Sequence, residues 1–277
     1  MQILYSIEEC IKWRKSLSGS VGFVPTMGAL HRGHLSLVKI AKKTCDYVVV
    51  SIFINPTQFS ENEDLNSYPS MINNDIKHLK NEKIDMVFIP SKEEIYNQKG
   101  DEYFYDTPLS KKLEGLSRPH FFKGVTMVVA KLFNIVNPTH AVFGEKDAQQ
   151  LIIITKMISQ NKSPINLIAG KTIRNKYGLA YSSRNSYLSI KEQKEASKIY
   201  QSLMLTKQLL DQGERNSQIL KNEFIQSIRS VASLKLDYIS IADTETLDEV
   251  NKIKKKQILV SAAVFLKNVR LIDNFIY

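Results

Sequence analysis

Two histidines, His31 and His34, stand three residues apart in the segment PTMGALHRGHLSLV, between an apolar run and an amphipathic stretch. Imidazole groups donate hydrogen bonds to anions, and free N–H groups at the start of a helix attract negative charge. Gly28 and Gly33 would let the backbone approach a ligand closely. The segment lacks the Gly-Lys-Ser/Thr ending of a Walker loop. We therefore predict a different phosphate-binding turn, in which both histidines face a triphosphate. The alternative is that the two rings only cap or pack against the helix.

A second polar segment, residues 144–150 with the sequence GEKDAQQ, follows another apolar run. Ligands of open parallel sheets bind where the strands end at their carboxyl side. Lys146 can place a compact positive charge on a nucleotide phosphate there, and Gln150, one helical turn further on, can hydrogen-bond a hydroxyl or a carboxylate. The alternative is that Glu145, Lys146 and Asp147 form only a charged helix start.

A third segment, YSSRN, places the hydroxyls of Ser182 and Ser183 beside the guanidinium of Arg184. Hydrogen bonds from such groups to anionic oxygens are charge-assisted and shorter than neutral ones. This segment is therefore predicted to clamp a phosphate. Alternatively, it is a polar turn in which Asn185 caps a helix.

A fourth segment, SIFINPTQF, ends an apolar run with the amide side chains of Asn55 and Gln58. Uncharged amides suit the hydroxyl groups of a polar organic substrate. The alternative interpretation is that Asn55 and Pro56 form a plain turn without a ligand.

The elements that must position these segments alternate between strand-like and helix-like patterns over the first two thirds of the chain, which predicts an α/β fold with a parallel sheet. The clearest helix is 124–136, where apolar residues recur at helical spacing before Asn137 and Pro138. Runs that are apolar almost throughout predict strands covered on both faces. The predicted strands are 21–25, 47–54, 86–90, 139–144 and 165–169.

The pattern changes after about residue 173, where polar-rich helical stretches at 190–212 and 214–231 precede strand-like runs at 236–242 and 258–265. This predicts a smaller α+β domain of residues 173–277 after a first domain of residues 1–172. The irregular stretch 91–123 is predicted to form a flap over the site.

The composition predicts a soluble cytoplasmic protein. There is no run of about 20 apolar residues and no uninterrupted apolar core of a signal peptide near the first residue. Cys10 and Cys45 lack the spacing of a metal or redox site. The formal net charge of +10 favours anionic partners, and a nucleic acid is one alternative to a small phosphorylated ligand. Because the lysines are scattered among acidic residues, we expect the small ligand.

Taken together, PTMGALHRGHLSLV, SIFINPTQF, FGEKDAQQL and YSSRNSYLS resemble, in order and spacing, the signature segments of the pantothenate synthetase family, the pantoate–beta-alanine ligases. The resemblance covers most of residues 20–190. It implies a Rossmann-like domain of the HxGH nucleotidyltransferase type, a second domain that acts as a lid, and a homodimer. From the charge distribution and the short apolar runs, we expect no nucleic-acid partner and no membrane partner. Arg32, Lys123 and Tyr181 depart from the family pattern, which affects fine specificity and flap contacts.

The same resemblance assigns roles to residues. Gln58 and Gln150 would hold pantoate and beta-alanine, with Asn55 in the same pocket. His34 would be a proton donor or a phosphate-stabilising group and would share catalysis with His31, Lys146 and Arg184. The implied ATP-binding residues are Met27, Gly28, His31, His34, Gly144, Glu145, Lys146, Asp147, Ile173, Tyr181, Ser182, Ser183 and Arg184.

The implied reaction begins when the pantoate carboxylate attacks the α-phosphorus of ATP, with Mg²⁺ bridging phosphate oxygens and pyrophosphate leaving. The amine of beta-alanine then attacks the acyl carbon and expels AMP. The sequence does not assign the Mg²⁺ ligands, for which Asp75 and Asp147 are candidates. Among enzymes, the alternatives are an HxGH adenylyl- or cytidylyltransferase that stops at a nucleotidyl product, and a tRNA synthetase, for which the chain is short.

Overall fold

The computed structural model describes residues 1–60, 63–96, 105, 107–254 and 257–277. The chain divides into two compact units. The first unit comprises Met1–Glu145 and Gln149–Lys171, and the second comprises Lys146–Ala148 and Thr172–Tyr277. The functional division into residues 1–172 and 173–277 stays a prediction.

A six-stranded parallel sheet forms the centre of the first unit. All five predicted strands are present with slightly different ends. A short edge strand at Gln2–Leu4 was missed, because three residues that are exposed or partly exposed leave too short an apolar signal. The strands are β1 Gln2–Leu4, β2 Val21–Thr26, β3 Tyr47–Ile52, β4 Met86–Phe88, β5 His140–Gly144 and β6 Asn166–Gly170, in the order β1-β4-β3-β2-β5-β6.

Helices cover both faces of this sheet, which explains why its strands are apolar throughout. Neighbouring residues of a strand point to opposite faces, so Phe23 and Val49 belong to one hydrophobic core, while Val24 and Val50 belong to another. The predicted helix at 124–136 begins earlier, at Phe121. The helices in this part of the chain are α1 Ile7–Lys15, α2 Arg32–Thr44, α3 Ile72–Asn81, α4 Lys92–Tyr96, α5 Glu114–Ser117, α6 Phe121–Val136 and α7 Ala148–Gln160.

The second unit packs helices against an antiparallel sheet, as the α+β prediction requires. The predicted helix at 190–212 is interrupted at Ser197, and a third strand follows the two that were predicted. The elements are α8 Ile190–Ala196, α9 Lys198–Asp211, α10 Ser217–Arg229, β7 Leu234–Asp243, β8 Ile258–Leu266 and β9 Val269–Ile276, with the sheet order β7-β8-β9.

The predicted flap at 91–123 includes residues 97–104 and 106, which lie outside the described residues. Its described part contains α4, α5 and a short 3-10 helix at Pro108–Lys111, so its role as a flap stays a prediction. No helix within the described ranges is long and apolar enough to cross a membrane.

Candidate functional site

The histidine turn connects the end of β2 to the start of α2. Gly28 and Ala29 both have left-handed backbone conformations, with φ of 84° and 48°. A Cβ atom at position 28 would lie 3.1 Å from Oδ2 of Asp75 and 3.1 Å from a methyl group of Ile52. The positive φ favours glycine at position 28, and the close neighbours leave little room for a side chain.

His31 and His34 cap the helix that follows. Nδ1 of His31 accepts a hydrogen bond from the Gly33 N–H at 3.1 Å, and Nδ1 of His34 accepts one from the His31 N–H at 3.4 Å. The two rings stack with centroids 3.9 Å apart. The capping interpretation is thus confirmed, but it does not exclude a ligand. Because Nδ1 of a neutral imidazole that accepts a bond carries no hydrogen, each ring has its hydrogen on Nε2, where it is a donor.

Asp75 holds the histidine turn, although the sequence only suggested it as a metal organiser. It lies on α3 and is 1% exposed. Its carboxylate accepts the N–H groups of Ala29 and Leu30 at 2.8 and 2.7 Å. Burial raises the pKa of the Asp75 carboxyl, and these two bonds and the nearby His78 lower it by less. This carboxylate therefore fixes the backbone that leads into the histidines.

We expect Asp75→Ala to lower the free energy of unfolding, because it removes the acceptor of the buried Leu30 N–H and of the part-buried Ala29 N–H, and an unsatisfied buried group costs about 1–3 kcal/mol. Urea unfolding measures the change. Asp75→Asn is the matched control, since it retains one acceptor oxygen and should lose less stability. An alanine variant as stable as the wild type would show that the carboxylate does not hold the turn.

The amide turn follows β3, where Asn55 caps the 3-10 helix Pro56–Gln58. Asn55 is 1% exposed, and its Nδ2 donates to Oε1 of Gln58 and to the Gly124 carbonyl, both at 3.1 Å. Nε2 of Gln58 lies 2.8 Å from the sulfur of Met27. A turn is therefore present at Asn55, and it brings Gln58 against the segment that carries the histidines.

Arg118 also contacts the amide turn, and sequence patterns gave no signal for it. Its Nη2 donates to the Gln58 carbonyl at 3.1 Å. Nε and Nη2 bind the two carboxylate oxygens of Glu63 at 2.7 and 2.6 Å, and the guanidinium lies 3.8 Å from the ring centroid of Phe121. Because of these contacts, the Arg118 guanidinium is held in one orientation. Arg118 thus ties the main chain at Gln58 to the start of α6.

Of the two adjacent glutamines after β5, the structure gives a clear scaffold role to Gln149. Its side chain is buried, donates to the carbonyls of Leu109 and Lys112 at 2.9 and 2.7 Å, and accepts from the Glu114 N–H at 3.0 Å. It therefore anchors the described part of the predicted flap. Gln150, the predicted substrate ligand, is half-buried beside it.

The segment Glu145–Asp147 is a 3-10 helix that directly precedes α7. The backbone of these three charged residues therefore leads into a helix, as the alternative interpretation predicted. The Lys146 ammonium lies 3.5 Å from Oδ1 of Asp147, and the Lys146 side chain is 19% exposed. Within the second unit, the Lys146 carbonyl accepts a bond from Nδ2 of Asn274 at 2.7 Å. The backbone of residue 146 is therefore anchored to β9.

The serine–arginine segment is also ordered within the second unit. Tyr181 N–H donates to the Ile173 carbonyl at 2.9 Å, which brings two predicted ATP-binding residues together. Ser182, and not Asn185, caps the following 3-10 helix, because its Oγ accepts the Arg184 N–H at 3.3 Å. Asn185 lies inside that helix, where its Nδ2 donates to a backbone carbonyl, so the prediction that it is the cap was wrong.

Arg174 holds the backbone that leads into this segment, since it donates to the Gly178 carbonyl at 3.2 Å. It pairs with the buried Asp273 of β9, with Nη2 2.9 Å from Oδ1, and its guanidinium lies 3.7 Å from the ring centroid of Tyr200. Replacing one partner of such a buried pair leaves an unpaired charge, which is costly. The backbone between Ile173 and Tyr181 is therefore fixed by its neighbours.

Comparison with known proteins connects these features to one family. The family model described as pantoate-beta-alanine ligase matches residues 2–276. The pantothenate synthetase of Thermosipho africanus is 46% identical over 279 residues, covering 100% of both chains. The pantothenate synthetase of Thermotoga petrophila is also 46% identical, covering 100% of this chain and 99% of that protein.

Solved structures give the same result. The chain is similar to the crystal structure of pantothenate synthetase from Thermus thermophilus, with a TM-score of 0.92, 36% identity and 99% of each chain covered. It is also similar to pantoate-beta-alanine ligase from Francisella tularensis complexed with beta-gamma ATP and beta-alanine, with a TM-score of 0.80, 35% identity, and 100% and 97% of the two chains covered.

Proposed function

Because the chain belongs to the pantoate-beta-alanine ligase family, we propose which of its residues carry out that family's reaction. The enzyme is an ATP-dependent ligase that condenses pantoate with beta-alanine to pantothenate through a pantoyl adenylate, releasing pyrophosphate and AMP. Pantoate supplies its own nucleophile, a carboxylate. The protein must therefore align this oxygen with the α-phosphorus and stabilise the charge that develops, and positioning of this kind contributes about 7–11 kcal/mol in favourable cases.

ATP is proposed to bind at the histidine turn, and the capping geometry of His31 and His34 is the observation that carries this proposal. Nδ1 of both rings accepts a hydrogen bond at the helix start, which puts the ring hydrogen on Nε2, a type of donor that suits phosphate oxygens. The N-terminus of α2 adds a favourable dipole. Met27 and Gly28 would contact the nucleotide through the same turn. For His34, this geometry supports a neutral hydrogen-bond donor over a proton donor.

A second set of residues is proposed to act on the same nucleotide. Lys146 and Arg184 would neutralise charge on the phosphates as pyrophosphate leaves, and the hydroxyls of Ser182 and Ser183 would add hydrogen bonds to anionic oxygens. Their support is the family resemblance and the anchored backbone described above. The remaining proposed members of the ATP site are Gly144, Glu145, Asp147, Ile173 and Tyr181.

Pantoate and beta-alanine are proposed to bind at Gln58 and Gln150. Both amide hydrogens of Asn55 already have partners within the protein, so Asn55 contributes to this pocket by holding Gln58. Once pantoyl adenylate has formed, exclusion of water by the second domain and the predicted flap would protect the mixed anhydride until beta-alanine attacks it.

Mg²⁺ is proposed to accompany ATP. No group of three or more His, Cys, Asp or Glu side chains that could hold a metal occurs among the residues that the structure describes, so these residues do not form a metal cage of their own. Mg²⁺ commonly binds substrate phosphates with few protein ligands. The ion would supply charge neutralisation at the phosphates, and no step is assigned to a protein ligand of the metal.

The enzyme is further proposed to be a cytoplasmic homodimer. Free Cys10 and Cys45 suit a reducing compartment, while the dimer rests on the family resemblance. Light scattering should give a mass of about twice the 31.7 kDa of one chain. A mass of one chain at micromolar concentration would overturn the dimer.

The reaction itself is tested by incubating the protein with ATP, Mg²⁺ and pantoate, with and without beta-alanine. We expect AMP and pantothenate to accumulate only when beta-alanine is present. A stable nucleotidyl product in its absence would instead support a nucleotidyltransferase. Tight RNA binding that weakens steeply with salt would support a nucleic-acid partner.

Replacing Gln58 by alanine is expected to raise the KM for pantoate roughly 10- to 100-fold, the scale of losing a hydrogen bond in a desolvated site. The KM for ATP should change little. Gln226→Ala, on an exposed face of α10, is the matched control. A Gln58 variant that uses pantoate normally but loses affinity for ATP would reverse the substrate assignment.

A further inference from the structure

The amide turn at residues 55–58 is held in two ways. Thr57 donates its N–H and its hydroxyl to Oδ1 of Asn55 at 3.3 and 2.9 Å. These bonds lie within the turn, so they fix its local shape but not its position relative to other elements. Bonds to other elements fix its place in the first unit. Besides the bond from Nδ2 of Asn55 to the Gly124 carbonyl, two side chains far away in sequence contact the turn.

The first tether is Tyr96, the last residue of α4. Its hydroxyl donates to Oδ1 of Asn55. Lys131 of α6 holds this tyrosine in place, since its ammonium donates to the Ile95 carbonyl at 2.8 Å and lies 5.1 Å from the Tyr96 ring centroid. Burial raises the pKa of the Tyr96 hydroxyl. The hydroxyl therefore remains a donor at any ordinary assay pH.

The second tether is Arg118, which holds the opposite end of the turn. It donates to the Gln58 carbonyl at 3.1 Å while its ion pair with Glu63 keeps the guanidinium in one orientation. The planar guanidinium binds both carboxylate oxygens of Glu63 through two nitrogens while it donates to the Gln58 carbonyl. A lysine ammonium, which is a single compact charge, cannot reproduce this fork geometry.

The orientation of the Gln58 amide follows from these contacts. Because Oδ1 of Asn55 faces Tyr96 and Thr57, its Nδ2 faces Oε1 of Gln58. The carbonyl end of Gln58 is thereby occupied, and its NH₂ end points toward Met27. A group presented in this way donates hydrogen bonds, so it fits an oxygen acceptor such as a carboxylate or a hydroxyl.

We infer that Tyr96 and Arg118 are positioning residues for the pantoate-binding amide of Gln58. Tyr96 fixes the Asn55 side chain, and Arg118 fixes the Gln58 main-chain carbonyl. Together they present the Gln58 NH₂ group to the substrate. This inference rests on the proposed binding of pantoate at Gln58. It adds two residues that do not touch the substrate but determine its affinity.

Tyr96→Phe removes a single oxygen and tests the first tether. Losing one net hydrogen bond in this network should raise the KM for pantoate about 3- to 10-fold, with the KM for ATP unchanged. Tyr5→Phe, at an exposed tyrosine, is the matched control. Arg118→Lys tests the second tether while keeping the charge, and it should raise the KM for pantoate in the same way.

The double variant Gln58→Ala/Tyr96→Phe separates positioning from general loosening. Once Gln58 is absent, Tyr96 has nothing to position, so the double variant should have the same pantoate KM as Gln58→Ala within about twofold. A further large increase would mean that Tyr96 affects pantoate binding independently of Gln58, and it would overturn the inference.

The two proposals fail differently. If Gln58→Ala leaves the KM for pantoate unchanged, the pantoate site itself is wrong. If Gln58→Ala raises that KM but Tyr96→Phe and Arg118→Lys do not, the pantoate site stands and the tethers are wrong.

Discussion

Replacing Lys146 by alanine is expected to lower kcat by roughly 10²- to 10³-fold, the scale for losing one preorganised group that stabilises developing charge. The half-buried ammonium has the compact charge that suits the departing pyrophosphate. The anchoring bond at this position uses the Lys146 carbonyl and Nδ2 of Asn274. Alanine retains that bond, so the loss should appear in turnover and not in folding.

The measurement is AMP release at saturating ATP, pantoate and beta-alanine, together with thermal unfolding of each variant. Lys207→Ala provides the control, because Lys207 also pairs with an aspartate, Asp211, but at the exposed surface of α9. Surface pairs of this kind contribute about 0–1 kcal/mol. Turnover close to the wild type in the Lys146 variant would remove this residue from the mechanism.

The strands and the histidine turn could be predicted because their signals are local. A strand buried on both faces is apolar throughout, and His31, Gly33 and His34 make their contacts within three positions of one another. The short strand β1 could not be found in this way, because its three residues owe their conformation to hydrogen bonds with β4. Local patterns thus predict the buried strands of the sheet and the histidine turn of the candidate site.

The residues that hold the site in place gave no such signal, because their partners are distant in sequence. Asp75 stands in a polar helix start that looks solvent-exposed, yet it binds N–H groups 45 and 46 positions earlier. Arg118 reaches Gln58 across 60 positions. Their roles follow from the fold, and a single sequence contains no trace of which backbone group each side chain will meet.

Asn55 also shows why the sequence alone could not decide the role of a site residue. Its position in SIFINPTQF predicted either a substrate ligand or a turn, and both interpretations used the same residue types. The structure places its amide hydrogens on Gln58 and Gly124, so the turn holds the side chain that we propose as the substrate ligand. Gly124 has to be glycine here, since a Cβ atom would lie 2.5 Å from the Thr57 carbonyl oxygen.

His34→Asn is expected to separate the two roles of this histidine. The oxygen of an asparagine side chain lies close to the position of Nδ1, so it can still accept the His31 N–H and keep the helix start capped. The free energy of unfolding should therefore change by less than about 1 kcal/mol. Asparagine has no counterpart of the Nε2 donor, so kcat should fall roughly 10²- to 10³-fold if that donor stabilises a phosphate.

His120→Asn is the control for this experiment, because His120 also stands at a helix N-cap, is exposed, and makes no side-chain capping bond. It should retain full turnover. If the histidines of the turn served only to cap α2, His34→Asn would retain turnover as well, because the cap survives the change. A stable but inactive His34→Asn would support the role that we propose for its Nε2 donor at the phosphates of ATP.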